Sequence, residues 1–169
     1  MPPLYEPEAV RFMWEELAHV GVKPLTTPQD VEAALGNQTG TTLLVINSVC
    51  GCAAGNCRPG VSLSLQSDVI PDNFVTVFAG MDTEATGKAR EYLNFPPSSP
   101  NIVLFKDGKV VHALERRHIE RMTALDIARN LAEAYTKECT RKGPSVPREV
   151  FEKLDHVEKC GSSIPMFKG

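Results

Sequence analysis

The sequence predicts an α/β domain with a central mixed four-stranded sheet flanked by helices, and three observations carry that prediction. "LLVINS" at 43–48 is a continuous apolar run suited to a strand covered on both faces. After it, helical and strand-like stretches alternate, which calls for parallel strands joined by a crossover helix. "NIVLF" and "KVVHAL", separated by "KDG", then read as a hairpin that adds an antiparallel close to the same sheet. The 169 residues suffice for one well-buried core.

The elements follow in order. Residues 8–20 place Val10, Met13, Trp14 and Leu17 on one stripe of an amphipathic helix, with Gly21 as its stop. In "TPQD", Thr27 can cap a second helix, Pro28 fits its first position and Asp30 suits its positive end, and Gly36 closes it. These two helices precede the 43–48 strand and are additions to the sheet's N-terminal side. "RPGVSLSLQS" reads either as a helix with Pro59 near its start or as a longer, cysteine-containing helix kinked there. Residues 73–79 form the next strand and 83–93 a helix despite Gly87. Gly108 supplies the permissive backbone of the hairpin turn. Thr123 caps a long helix that sets Ile127, Ala128, Leu131 and Tyr135 on one face. "RKGPSVP" at 141–147 breaks the pattern, and Val150, Phe151, Leu154 and Val157 mark a further helical stripe over 148–157. The chain thus divides into a domain over 1–142 and a C-terminal extension, a helical tail, over 143–169.

The formal net charge of −3 and the lack of a dense Lys/Arg cluster set nucleic acid aside as a partner. The N-terminus does not read as a signal peptide, and no apolar stretch approaches the ~20 residues of a membrane helix. A cytoplasmic protein is the expectation. Thiols are normally kept reduced there, so five cysteines, three of them crowded together, point to reactivity or metal rather than to a structural disulfide framework.

Those three, Cys50, Cys52 and Cys57, lie in "VCGCAAGNCRPG". Cys50 follows the buried strand at what would be the positive end of a helix, where a thiol ionises readily. Cys52 is the obvious resolving partner, with Gly51 easing the backbone: two residues span at most about 7 Å, and a disulfide needs Cα atoms roughly 4.4 to 6.8 Å apart. A constrained bond of this kind is labile, which suits exchange. Cys57 stands about 10 Å of rise from Cys50 if the segment is helical, whereas a loop would let all three thiols converge. Convergence also fits zinc or an iron–sulfur cluster, with His112 or His118 as a fourth ligand, although C-x-C-x4-C lacks the paired knuckles of zinc sites. A third reading makes the cysteines small buried hydrophobes.

The chain resembles the bacilliredoxin family, thioredoxin-like proteins with a Cys-Gly-Cys motif. "GTTLLVINSVCGCAAGNCRPG", "LQSDVIPDNFVTVFAGMDTEAT", "REYLNFPPSSPNIVLFKDGKVVH", "RRHIE" and the helix ending in "EC" at 138–139 carry the likeness. The resemblance implies a thioredoxin-like fold, with Pro100 as a cis-proline facing the active site and Ser99 before it. It implies removal of bacillithiol, or a similar low-molecular-weight thiol, from protein mixed disulfides, with related reductase or isomerase activity. Cys50 matches the attacking cysteine and Cys52 the resolving one. No bound cofactor is implied; the small thiol is a co-substrate, and thiolated or disulfide-bonded client proteins are the partners. Two departures stand out: family members commonly carry alanine at the position of Cys57, and they generally end near Cys139, which makes the tail with Cys160 an addition. Cys57 is therefore a candidate third redox cysteine. Arg116, Arg117 and His118 form a small basic cluster able to attract anionic thiols or to serve as a solvated turn.

Overall fold

Thr41–Asn47 is buried along its whole length, and its choice of neighbours organises the rest of the chain. The computed structural model describes residues 2–154. In chain order the strands are β1 (Lys23–Pro24), β2 (Thr41–Asn47), β3 (Val69–Ile70), β4 (Asn73–Phe78), β5 (Asn101–Lys106), β6 (Lys109–Leu114) and β7 (Arg141–Lys142). The α-helices are α1 (Pro7–Ala18), α2 (Pro28–Leu35), α3 (Arg58–Ser64), α4 (Thr83–Arg90), α5 (Arg116–Ile119), α6 (Ala124–Glu138) and α7 (Arg148–Glu152).

The main sheet has the order β1-β4-β2-β5-β6. β2 runs parallel to β4 and antiparallel to β5, which pairs in turn with β6. The sheet is mixed, as expected, but it has five strands rather than four. The fifth, β1, pairs parallel with β4 through Lys23 and Pro24 alone. Two residues show no periodicity, and an edge is where a sheet accepts a proline.

The period of two along the inner strands divides the core. Leu43 and Val45 of β2, with Ile102 and Leu104 of β5, join Val61 of α3, Leu65 just after it, and Ile127, Leu131 and Tyr135 of α6. Leu44 and Ile46, with Val103 and Phe105, join Val31 and Leu35 of α2 and Ala85 and Ala89 of α4 on the opposite face. All eight strand residues are fully buried, each contributing about 1.5–3 kcal/mol from removal of apolar surface from water.

Local signals end the elements. The Thr27 hydroxyl accepts from Asp30 N at 3.1 Å to start α2, and Thr123 with Asp126 forms a reciprocal cap at α6. Asp107 and Gly108 take φ of 49° and 82° in the two-residue hairpin turn. α4 ends at Arg90, three residues short of the predicted end, because residues 91–93 turn back through bonds to the carbonyls of 88–90.

The break predicted at 141–147 is only partly a break. Arg141–Lys142 pairs antiparallel with β3. Gly143 N then donates to Asp68 O at 2.8 Å and Ser145 N to Leu65 O at 2.9 Å. Val146, Phe151 and Leu154 pack against the core on the α3/α6 side, so residues 143–154 lie on the domain. The helix predicted over 148–157 is the five-residue α7; Val157, His156 and Cys160 lie outside the described residues.

Candidate functional site

Beyond β2 the chain turns through Ser48 and Val49 and enters a helix at Gly51, which leaves Cys50 at the helix's N-terminal end. Ala53 N and Ala54 N both donate to Cys50 O, at 3.1 and 3.2 Å. The turn then widens into a π segment over Ala53–Cys57 before α3 begins at Arg58. Of the two readings of this stretch, the longer cysteine-containing helix is the one adopted. Pro59 has no N–H to donate back along the helix, and the turn before it widens so that Arg58 N reaches Ala53 O. Gly51 is exposed, and a Cβ there would meet nothing within 4 Å; no steric demand for glycine is visible at that position.

Cys50 Sγ and Cys52 Sγ lie 2.8 Å apart as free, half-buried thiols, and their acidities diverge. Burial pushes Cys50 up, but hydrogen bonds from Cys52, Ser48 and the Ala53 N–H, with the Arg116 charge, outweigh it and hold the thiol below its ordinary value. Burial pushes Cys52 up as well, and there the hydrogen bond and charge of Cys50 add to it, to about 11. Arg116 opposes that rise. With Cys50 the more acidic of the two, the Cys52 S–H is the donor in the contact once Cys50 is ionised.

Arg116 also connects the cysteines to the segment before β5. Its Nη1 donates to Ser99 O at 3.3 Å, and the Ser99–Pro100 peptide bond is cis, the isomer the resemblance implies, with Pro100 buried. The basic cluster therefore splits: Arg117 pairs with Glu115 at 3.1 Å, and His118 Nδ1 accepts from Glu115 N at 3.0 Å.

Cys57 does not converge with the pair. It is fully buried among the apolar residues between sheet and α3/α6, and burial drives its thiol strongly upward. Among the described residues, no group of three or more His, Cys, Asp or Glu side chains is arranged to hold a metal ion. The helix turns the third sulfur into the core, so the convergence of three thiols that the metal or iron–sulfur reading of Cys50, Cys52 and Cys57 calls for is not found there. His112 is engaged with Asn130 at 2.6 Å, and Cys139 is buried at the end of α6.

One polar group beneath the cysteines was not anticipated. Arg58 is fully buried and pairs with Glu16 of α1 at 2.9 Å. A signal existed in the sequence, since Glu16 sits three residues after Met13 on the buried stripe of α1, where a carboxylate needs a partner.

Adjacent thiols of opposed acidity suit disulfide exchange, and comparison with known proteins places the chain among the thiol–disulfide oxidoreductases. Residues 5–139 match the family described as "Disulphide isomerase". A bacilliredoxin of Cytophaga hutchinsonii is 53% identical over 133 residues, covering 78% of this chain and 98% of its own. A bacilliredoxin of Salinibacter ruber is 50% identical over 164 residues and 95% of both chains, and one of Halalkalibacterium halodurans is 49% identical over 136 residues, 80% of this chain and 94% of its own. The chain belongs to the bacilliredoxin family. The Salinibacter alignment takes in most of the extension, so the tail is shared with at least one relative. Among the described residues no helix is long and apolar enough to cross a membrane.

Proposed function

We propose that this chain removes bacillithiol, or a similar low-molecular-weight thiol, from protein mixed disulfides through Cys50 and Cys52. The observation that carries the proposal is the 2.8 Å sulfur contact between thiols pushed in opposite directions. The Cys50 thiolate attacks the small-thiol sulfur of the mixed disulfide. That S–S bond breaks, the client leaves as its thiolate, and a new S–S bond joins Cys50 to the small thiol.

The adduct changes Cys52. While Cys50 is a thiolate, its charge and hydrogen bond help keep Cys52 protonated; once Cys50 is a neutral disulfide those influences vanish, leaving burial opposed by Arg116 and a backbone hydrogen bond. The second thiol becomes more acidic after the first has reacted. Its thiolate attacks Cys50 Sγ, expels the small thiol and closes a Cys50–Cys52 disulfide. Alternatively, a second small thiol attacks the sulfur of the bound one and returns Cys50 as thiolate, forming a small-thiol disulfide. No bound cofactor enters either route.

The sheet order, the Cys-Gly-Cys segment at a helix N-terminus and the cis Ser99–Pro100 bond support a thioredoxin-like fold. Reduced thiols, and clients carrying a small thiol, fit a cytoplasmic setting. Cys57 stands outside the cycle in this reading, because a fully buried, weakly acidic thiol is a poor nucleophile. The family description "Disulphide isomerase" favours a second activity, reshuffling of wrong protein disulfides, measurable on a scrambled substrate.

The test is release of a labelled thiol from a protein mixed disulfide. Cys50→Ser should abolish release. Cys52→Ser should perform the first step and accumulate protein carrying the small thiol on Cys50, visible by intact mass. Full release by Cys50→Ser would overturn the proposal.

A further inference from the structure

A buried polar network runs from α1 to the nucleophile, and none of its members belongs to the exchange cycle described above. Arg58 donates from Nε to Glu16 Oε2 at 2.9 Å. From Nη1 it donates to Asn47 Oδ1 at 3.1 Å and to Ser48 O at 2.8 Å. Asn47 Oδ1 also accepts from Ser48 N at 2.9 Å, and Asn47 Nδ2 donates to Met13 O at 3.1 Å. Both peptide groups of Ser48 are therefore held, its N–H by Asn47 and its carbonyl by Arg58. The Ser48 hydroxyl in turn accepts from Cys50 N at 3.2 Å, which ties it to the residue that carries the reacting sulfur.

A fully buried guanidinium and carboxylate are costly to desolvate, and the pair adds little net stability over apolar residues of similar size. Its hydrogen bonds end at Asn47, the last residue of β2, and at Ser48, the first residue beyond it. We propose that Ser48 is a catalytic residue of this site, its hydroxyl donating a hydrogen bond to the Cys50 thiolate, and that Arg58, anchored by Glu16 and Asn47, is the positioning residue that aims it. The proposal rests on Cys50 being the attacking thiol. It gives α1 a role in chemistry: Met13 and Glu16, one turn apart on its buried face, hold the two ends of the network.

A hydrogen bond to a charged acceptor stabilises the thiolate over the thiol and so lowers its pKa. The other groups acting on Cys50 are the Cys52 thiol and the Ala53 N–H from its own helix and Arg116 from α5; Cys57, beneath, also feels the Cys50 charge. Ser48→Ala removes the hydroxyl and leaves these in place. The loss is expected to raise the Cys50 pKa by about one unit. At pH well below the Cys50 pKa the thiolate fraction then falls about tenfold, and because a more basic thiolate is a better nucleophile, the rate falls about threefold.

The experiment is the pH dependence of Cys50 alkylation by iodoacetamide, read by peptide mapping on the reduced full-length chain. It is run on wild type, Ser48→Ala and Ser48→Thr, with folding checked by circular dichroism. The expected result is a profile displaced to higher pH in Ser48→Ala and restored in Ser48→Thr, which keeps a hydroxyl. A profile in folded Ser48→Ala that coincides with wild type, or a displacement that threonine does not reverse, overturns the proposal. Thiol release by wild type is measured alongside: its absence would contradict the proposed function while leaving the alkylation comparison to judge Ser48.

Discussion

At the scale of single residues, the site works by making two identical side chains unlike. Cys50 and Cys52 are both half-buried, and desolvation raises both thiols. The difference comes from donors: Ser48, Cys52 and the Ala53 N–H serve Cys50, whereas Cys52 gives its proton to the contact and stays near 11. Arg116 acts on both from α5, but its side chain is 48% exposed and shared with Glu120 at 3.8 Å, so solvent and salt screen it. Arg116→Gln should therefore lower the Cys50 alkylation rate at neutral pH only about two- to threefold. The wild-type rate should fall toward that of the variant as salt is added, measured with a neutral reagent. A salt-insensitive wild type would contradict the assignment of Arg116 to the thiol pair.

At the scale of elements, the helix that carries the cysteines is fixed by what packs beside it. Gly60 lets α3 approach α6: a Cβ there would lie 2.7 Å from Ile127 Cγ2, 2.8 Å from Ile127 Cβ and 3.1 Å from Ala124 O. Ile127 is β-branched and fully buried, so it cannot swing aside. Gly60→Ala is expected to destabilise the protein by about 1–3 kcal/mol despite alanine's better helix propensity, and each kcal/mol lowers Tm by about 2–4 °C in a domain of this size. A thermal scan giving an unchanged or higher Tm would contradict the close approach. Upstream of α3, the π segment turns Cys57 into the core while Cys50 and Cys52 stay at the surface end. Three cysteines within eight positions thereby receive different environments from one helix.

At the scale of the whole molecule, what was legible in the sequence was what is encoded locally or by an uninterrupted period. The caps at Thr27 and Thr123, the apolar run of β2, the Gly108 turn and the spacing of Cys50 and Cys52 all belong to this class. β1, β3 and β7 were not legible, because each has two residues and exists only through a partner far along the chain. The Arg58–Glu16 pair was hidden for the same reason, its members being 42 residues apart. That Cys57 does not converge with the other two thiols was not legible either, because residue type alone does not say which way a helix turns a sulfur. Across the fold, one end of β2 and the start of its following helix gather the α1 network, the cysteine pair and the Arg116–Ser99 link, so the division of labour between thiols is the property to measure. The most direct test is residue-resolved alkylation of the reduced wild-type protein across pH, with peptides mapped at each step. Cys50 should react first, at pH below that of an ordinary cysteine, Cys52 only after Cys50 has been capped and its charge removed, and Cys57 only on unfolding. Cys52 reacting before Cys50, or all three together in the folded protein, would contradict the account.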